Sequence, residues 1–399
     1  MNPSSTGWIA KQILLLKKSK TRDTIIQCYN QARNTGFIYG VSVDLITPQP
    51  HFIHTWTLEE KTKVNLFDAL AYTYKNHHNN LEYFSQTALT FYEKLLNGDQ
   101  DSTSKTQDER KSQTNLEKII HTRIKTSDSV LKKNFSAVLI NALLYIDVLA
   151  FQHYSETSAA PRPYATNLEF LILNVICIAV EQKVKKSGQD QLLLDLFKKS
   201  LRYHKNKLPS SLHLESLAFK NLTKTTEKKY ILDVASLLFY DDLGWHDKQE
   251  HFLYKLAKHL DLSAENVLEA QENLRLFIEK NRAIIPYFNT SYPLKHFYDQ
   301  TSVMVHTLIL RNKKRLLQEI IGSKDLVLLL GKSTYKELSK EERKKVKTQL
   351  LDICKGVPSL AIFLLPGGSI LLPLLIHYIP ELLPSAFDEN RIEDNPEEQ

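Results

Sequence analysis

The strongest constraint on the fold of this chain is a run of twenty residues, 357–376, without an ionised side chain, "VPSLAIFLLPGGSILLPLLI". As one straight helix the run would be about 30 Å long, the thickness of the hydrocarbon layer of a bilayer. Pro366 removes a backbone donor at its middle, and Gly367 and Gly368 loosen the chain there. The pattern predicts two half-helices joined at the Pro-Gly-Gly break. They either contact a membrane or form a proline-broken hairpin buried on the rest of the protein.

Composition favours helices for the remainder of the chain. Only 11 of 399 residues are glycine, 42% are hydrophobic and 24% are charged. These values are typical of a folded protein and unlike those of a turn-rich β protein. We therefore predict an all-α fold, a multi-helix bundle body with a C-terminal proline-broken apolar helical segment. One short strand is predicted at residues 36–46, "GFIYGVSVDLI".

Shifts in polarity along the chain predict five regions. They are an N-terminal helical region (1–96), a polar linker (97–115), a helical core region (116–223), a compact three-helix unit (224–282) and a C-terminal segment (305–399) that contains the apolar run 357–376.

Local signals predict particular helix starts and buried helices. Thr57 with Glu60, and Ser339 with Glu342, have capping-box spacing, and Ser263 is a suitable N-cap. The segments "NFSAVLINALLYIDVLAFQHY" and "NLEFLILNVICIAVEQKVKK" are apolar but too short and mixed to span a bilayer, so they are predicted as core helices.

The cysteines and the N-terminus indicate the compartment. Cys28, Cys177 and Cys354 form no CxxC pair, which fits a reducing environment. The N-terminal 22 residues have no acid and no long apolar run, so they are unlike a secretory signal. They predict a first surface helix, with a transit peptide as the alternative.

Residues 225–280 resemble the tellurite-resistance TerB-like domains: a helix, an acidic turn with Asp241 and Asp242, then Glu250 at the start of an amphipathic helix. The resemblance implies that these three acids bind a metal ion. The alternative is that they cap and solvate a helix start.

Catalytic motifs are missing from the sequence. There is no P-loop, dinucleotide fingerprint, nucleophile elbow or HExxH zinc motif. His246 and His251 fall one residue out of the spacing that would put both on one helical face with Glu250. We therefore predict a non-enzymatic protein without a cofactor or small-molecule substrate. Its tyrosines do not alternate with basic residues, and no DNA binding is predicted.

A basic helix precedes the apolar run. Arg343, Lys344, Lys345 and Lys347 lie on its polar side, and residues 346, 350 and 353 form its apolar side. With the acidic residues 388–399 beyond the run, this flank would keep the bulk of the chain cytoplasmic if the run spans a membrane.

Residues 338–387 resemble the membrane segment and preceding helix of the LETM family, the leucine-zipper and EF-hand-containing transmembrane proteins. The likeness is carried by the L-S-x-x-E-R helix start at Leu338, followed by a register of prolines and a P-x-x-L-P-S-x-F exit. The membrane-segment and hinge residues are Pro358, Pro366, Gly367, Gly368, Ser369, Pro373, His377, Pro380 and Pro384. The layout is similar to a bacterial branch labelled biofilm-associated.

The resemblance implies an inner-membrane protein tied to cation–proton exchange and to ribosome binding at the membrane. Two positions depart from the family pattern: Ser369 stands where a glutamate is usual, and His377 where a lysine is usual. An intramembrane carboxylate is the group expected to exchange protons for cations. The family's ribosome-binding domain is expected after the span, where twelve residues follow Phe387.

Two functional hypotheses follow. The first is a membrane-associated, non-enzymatic LETM-like protein in cation or envelope homeostasis, or in ribosome association, at the bacterial inner membrane with its bulk in the cytoplasm; the mitochondrial inner membrane is the other location considered. The second is a soluble, cytoplasmic helical interaction module whose apolar C-terminal segment is buried in its own fold.

Overall fold

A computed structural model describes most of the chain. The described residues are 2–18, 24–49, 56–98, 108–125, 141–182, 188–203, 213–240, 245–282, 285, 305–306, 308–310, 312–356, 360, 363 and 372–382.

The described residues confirm the all-α prediction, since they form helices and no strand. The helices of the body are α1 (Trp8–Lys18), α2 (Ile25–Asn34), α3 (Leu58–His78), α4 (Phe84–Asn97), α5 (Glu109–Lys125), α6 (Tyr145–Thr157), α7 (Pro161–Glu181), α8 (Gly188–Tyr203), α9 (Thr225–Phe239), α10 (Asp247–His259) and α11 (Ala264–Asn281). The C-terminal unit comprises α12 (Lys313–Ile321), α13 (Lys324–Ser333), α14 (Lys340–Gly356) and α15 (Leu372–Leu382). Two short 3₁₀ helices, Leu214–Ser216 and Phe219–Asn221, precede α9.

Predicted caps set several of these helix starts. Thr57 Oγ1 accepts a hydrogen bond from the Glu60 amide at 3.2 Å, and Glu60 accepts from the Thr57 amide at 2.9 Å. Ser263 is the N-cap of α11, as predicted, with Asn266 as its capping partner. Each reciprocal pair satisfies amides that the first turn would leave without partners.

The core of the body is built on α3, α6, α7 and α9. Helix α6 packs between α3 and α7, and α9 packs on α7 and α11. Of the described residues, α7 is the one helix long and apolar enough to cross a membrane, but most of it is buried inside the protein. Both apolar segments predicted as core helices contribute to this layer where they are described.

Two buried ion pairs cross the body. Arg33 on α2 donates to Asp233 on α9 with its Nε 2.9 Å from Oδ2, and the Tyr29 hydroxyl donates to the same carboxylate. Arg123 on α5 donates to Asp147 on α6 at 3.0 Å. Burial raises the pKa of Asp233, while the adjacent Arg33 opposes the rise. These pairs satisfy charges that would otherwise be costly to bury, and they fix which helices meet.

One local prediction was wrong. Residues 36–46 form turns instead of a strand: Gly36 has φ +82°, and a Cβ there would lie 2.1 Å from the Val41 carbonyl oxygen. Only glycine fits such a position, and the turns leave no extended run to pair. Helix α5 begins at Glu109, within the predicted polar linker 97–115, and residues 99–107 of that stretch lie outside the described residues. The polar residues at the start of α5 recur with the spacing of the exposed face of a helix.

The predicted regional boundaries do not separate independent cores. Helices from both sides of the linker share one core, since α3 and α4 pack on α6 and α7. Helix α1 also belongs to this core. Trp8, Ile9, Ile13 and Leu16 are buried, so the N-terminal basic stretch includes a packed helix. Helix α8 then links the body to the C-terminal unit by packing on α7, α14 and α15.

Candidate functional site

The basic helix α14 starts where its capping box predicts. Ser339 Oγ accepts from the Glu342 amide at 3.2 Å, and Glu342 accepts from the Ser339 amide at 2.8 Å. Val346, Leu350 and Cys354 form its buried side. The apolar side of α14 packs on α12 and α13, and the amphipathic spacing places its charged residues outside this apolar contact.

Two ion pairs set the direction of α14 against α13. Lys332 near the end of α13 contacts Glu342 in the first turn of α14 at 2.6 Å, and Lys345 contacts Asp325 at the start of α13 at 2.5 Å. The later residue of one helix pairs with the earlier residue of the other, which is the order expected of antiparallel neighbours. The hydrogen bond from Lys332 also lowers the pKa of Glu342.

Helix α12 joins this pair as a third member. Only residues 322–323 connect it to α13, and it packs on both α13 and α14. Short connections usually join antiparallel helices, and from this we infer that α12 runs antiparallel to α13 and parallel to α14. The starts of α12 and α14 then lie at one end of the unit, together with the loop that follows α13.

That end of the unit gathers cations from three chain segments, and we refer to it as the basic end. Its members are Lys313, Lys314, Arg315, Lys336, Lys340 and Lys344, with the aromatic Tyr335. All six cationic side chains are exposed, and none of them forms an ion pair with another described residue. Tyr335 is 80% exposed, the highest value of any large apolar side chain in the described part of the protein.

The four predicted basic-flank residues have different surroundings. Arg343 donates to the Leu338 carbonyl at 2.7 Å and pairs with Glu337 at 3.6 Å. Lys345 is held by Asp325, and Lys347 is half-buried. Lys344 is exposed and belongs to the basic end. The prediction located the helix but missed most of the basic end, because Lys313, Lys314 and Arg315 belong to another helix, α12, and Lys336 lies in the loop before α14.

Of the apolar run, only its last five residues, 372–376, are described as part of an α-helix, the start of α15. Leu374 and Leu375 of α15 are 3% and 0% exposed, and α15 packs on α13 and α8. Leu360 and Phe363, in the first half, are also buried. The described part of the run is therefore covered by the protein's own helices.

The membrane-segment residues divide in the same way. Pro373 and Pro380 are buried in α15, whereas His377 is exposed. The remaining members lie outside the described residues: Pro358, Pro366, Gly367, Gly368, Ser369 and Pro384. The break between half-helices was predicted at Pro366, Gly367 and Gly368, which are among these residues, so it stays a prediction.

The candidate metal ligands are only partly described. Glu250 is half-buried in the first turn of α10, and His246 is the N-cap of that helix. Asp241 and Asp242 lie outside the described residues. Within the described part of the chain, no group of three or more metal-binding side chains comes together.

Comparison with known proteins gives one match. Residues 338–399 match the family model described as "LETM1-like, RBD", where RBD is the ribosome-binding domain. No curated protein and no solved structure matches the chain. The match starts at Leu338, the residue at which the sequence resemblance begins, and includes α14 and α15. The C-terminal residues of this protein are thus similar to LETM1-like ribosome-binding domains.

Proposed function

We propose that this protein is a non-enzymatic, LETM-like protein that binds the ribosome through the basic end of its C-terminal unit. The observation that carries the proposal is the family match over residues 338–399. A second observation supports it. Residues 311–356 contain 13 Lys and Arg against 6 Asp and Glu, a net charge of +7 that equals the formal net charge of the whole chain.

The chemistry of the basic end suits ribosomal RNA. Lysine and arginine neutralise backbone phosphates and release condensed counterions, which makes such binding strongly salt-dependent. The exposed ring of Tyr335 lies beside Lys336 in the sequence and offers a face on which an unpaired base can stack. The amino termini of α12 and α14 add partial positive charge at the same end.

Co-sedimentation of the full chain with purified ribosomes at several salt concentrations tests this proposal. Replacing Lys336, Lys340 and Lys344 together by Gln should weaken binding at least tenfold near physiological salt. The slope of log K against log salt should become shallower by about three, one for each lost phosphate contact.

A triple variant of the body gives the matched control. Lys248, Lys258 and Lys280 are exposed on α10 and α11, so replacing them by Gln removes the same charge elsewhere. This variant should bind almost as the wild type does. If both triple variants lost the same ribosome affinity, the binding would be non-specific electrostatic attraction. The assignment of the binding surface to the basic end would then be refuted.

For location, we propose the cytoplasmic face of the bacterial inner membrane. The support is the uncharged run 357–376 and the resemblance to a membrane-associated family. The second candidate is a soluble helical interaction module, and the burial of α15 against α13 and α8 favours it. An alkaline carbonate wash of membranes separates the two: a chain that stays in the pellet supports insertion, and one that washes off supports the soluble module.

The finer features of the resemblance also remain proposals. Cation or envelope homeostasis predicts cation-driven proton flux in proteoliposomes, weakened by Ser369→Leu, and no flux would remove it. The TerB-like unit predicts metal binding by Asp241, Asp242 and Glu250, which calorimetry with divalent cations tests. The likeness to the biofilm-associated branch rests on chain layout alone.

A further inference from the structure

Helix α1 presents an exposed pair of leucines between two lysines. Leu14 and Leu15 are each at least 40% exposed, and no other two neighbouring large apolar residues in the described part of the chain are both exposed. Lys11 and Lys18 are also exposed, and neither forms an ion pair with another described residue. Residues three and four apart share one side of a helix, so these four side chains form a single patch, which we call the α1 face.

Helix α11 carries a complementary pattern on its exposed side. Glutamate and leucine alternate there at steps of three or four residues, and we call this patch the α11 face: Glu265, Leu268, Glu272, Leu276 and Glu279. The buried residues of α11 lie on the opposite side of the helix. Arg275 pairs with Glu272 at 2.8 Å and with Glu279 at 2.6 Å, so the α11 face keeps an excess of negative charge.

The spacing of the charges is the same on the two faces. Lys11 and Lys18 are seven residues apart, as are Glu265 and Glu272, which is about 10 Å along each helix. Two helices packed side by side can therefore place each lysine opposite a glutamate, with the leucines of the α1 face against those of the α11 face. This register also keeps the lysines away from Lys280, which is exposed at the far end of α11.

The two faces can meet only between copies of the chain, because both are exposed within one copy. An anionic bilayer would suit the α1 face alone, whereas an α11 face of opposite charge and equal spacing favours a second copy as the occupant. One contact between two helix faces is smaller than a stable protein interface. A two-fold dimer makes the contact twice, since α1 of each copy then packs on α11 of the other.

We propose that the protein forms a two-fold dimer in which the α1 face of each copy binds the α11 face of its partner. The leucines provide the apolar contact. The charges set the register and disfavour pairing of either face with itself, because like charges would then meet. The dimer does not depend on the proposed ribosome binding, since no residue of the basic end takes part in it.

Sedimentation of the full-length chain over a range of concentrations tests the dimer with charge-reversed variants. Lys11→Glu with Lys18→Glu, and separately Glu265→Lys with Glu272→Lys, should each weaken self-association at least about tenfold, because like charges then face each other. An equimolar mixture of the two variants should regain the wild-type affinity within a few-fold, since each α1 face in the mixed dimer meets an α11 face of opposite charge. Absence of recovery in the mixture would refute the pairing.

Helix α5 provides a matched control. Lys111 and Lys118 are exposed with the same seven-residue spacing, and Thr114 and Asn115 stand where α1 has its leucines. Lys111→Glu with Lys118→Glu should therefore leave self-association almost unchanged. A loss as large as that of the α1 variant would mean that association follows overall charge, and it would overturn the assignment to the α1 face.

Two further readouts complete the test. Thermal unfolding of every variant should match the wild type, because all the changed side chains are exposed, and this separates lost association from lost folding. A wild-type chain that stays monomeric at every concentration, and that sediments with phosphatidylglycerol vesicles through Lys11 and Lys18, would overturn the dimer and assign the α1 face to a membrane surface.

Discussion

In the body, Arg33 and Arg123 are covered by protein and each meets an aspartate, with side chains only 2% and 0% exposed. In the C-terminal unit, the six cations of the basic end are exposed and form no ion pair with a described residue. Both regions are built from amphipathic helices around an apolar core. They differ in the placement of these cationic side chains: in the body they are buried and paired, and in the C-terminal unit they are exposed.

This difference reflects the different energetic cost of a buried and an exposed cationic side chain. Burying an arginine costs several kcal/mol, so it is tolerated only where a carboxylate and further hydrogen bonds meet it, and it then specifies which helices pack. An exposed lysine costs little and stabilises little, which leaves it available to a partner. The body therefore uses cations for its own architecture, and the C-terminal unit presents them.

The largest expected effect comes from breaking a buried pair. Asp233→Asn leaves the buried Arg33 guanidinium with the partly exposed Glu269 as its one remaining carboxylate, at 2.6 Å, among the described residues. It should lower the free energy of unfolding by about 3–5 kcal/mol. The control, Asp325→Asn, removes the partner of Lys345, whose side chain is 52% exposed, and should cost less than about 1 kcal/mol. Urea denaturation measures both. Similar losses would contradict the distinction between the two regions.

A second large effect concerns the pH dependence of the body. Burial raises the pKa of Asp68 to about 7 from an ordinary value of 3.8, although hydrogen bonds from Thr47 and Gln12 oppose the rise. The folded protein keeps this proton between about pH 4 and pH 7, while the unfolded chain has released it. The free energy of unfolding should therefore fall as pH rises through that window, by up to about 4 kcal/mol.

Asp68→Asn isolates this contribution, because it removes the titrating group and keeps an acceptor for Gln12. Denaturation of both proteins across the window should show the variant gaining relative stability as pH increases. A constant difference between the two proteins would mean that Asp68 does not titrate there.

The core of the C-terminal unit gives a third test. Leu375 is fully buried, and Leu375→Ala should destabilise the protein by about 3 kcal/mol through lost apolar contact and a residual cavity. Leu328 on α13 is 51% exposed, so Leu328→Ala should change stability by less than about 1 kcal/mol. Thermal unfolding in detergent-free buffer compares them. Little effect of Leu375→Ala would argue that α15 is not packed on the soluble protein.

A fourth, smaller effect is expected at the aromatic ring of the basic end. Tyr335→Ala should weaken ribosome binding by about 1–2 kcal/mol, roughly tenfold, because a stacking face is lost. Its salt slope should stay unchanged, since no phosphate contact is removed. Tyr83, 61% exposed on the body, provides the control, and Tyr83→Ala should have no effect on binding.

The smallest expected effect is that of a single cation. Lys344→Gln should weaken ribosome binding only a few-fold and reduce the salt slope by about one. Lys344→Arg should retain the slope, since the charge is kept. A slope unchanged by Lys344→Gln would place the phosphate contacts elsewhere on the unit.

Local chemistry made several features predictable. The capping boxes at Thr57 and Ser339 depend on residues three apart in the sequence, and they formed as expected. The apolar periodicity of α14 and the helical nature of the core segments are likewise local. The strand at residues 36–46 failed because a β pattern was inferred where Gly36 and its neighbours form a turn packed against Phe277, which is distant in the chain.

The sequence by itself determined the helical class, the helix starts and the place of the uncharged run, because each depends on backbone preferences and spacing within a few residues. Only the tertiary structure decided which charged side chains are buried in ion pairs and which are exposed on the surface. Arg33 meets Asp233 across 200 residues, and helix packing brings α12, with its three exposed cations, against α14. The same holds for α15: its apolar composition fits a bilayer or a core, and packing on α13 and α8 is what covers it. Burial is a property of what the rest of the chain supplies, so no local pattern contains it.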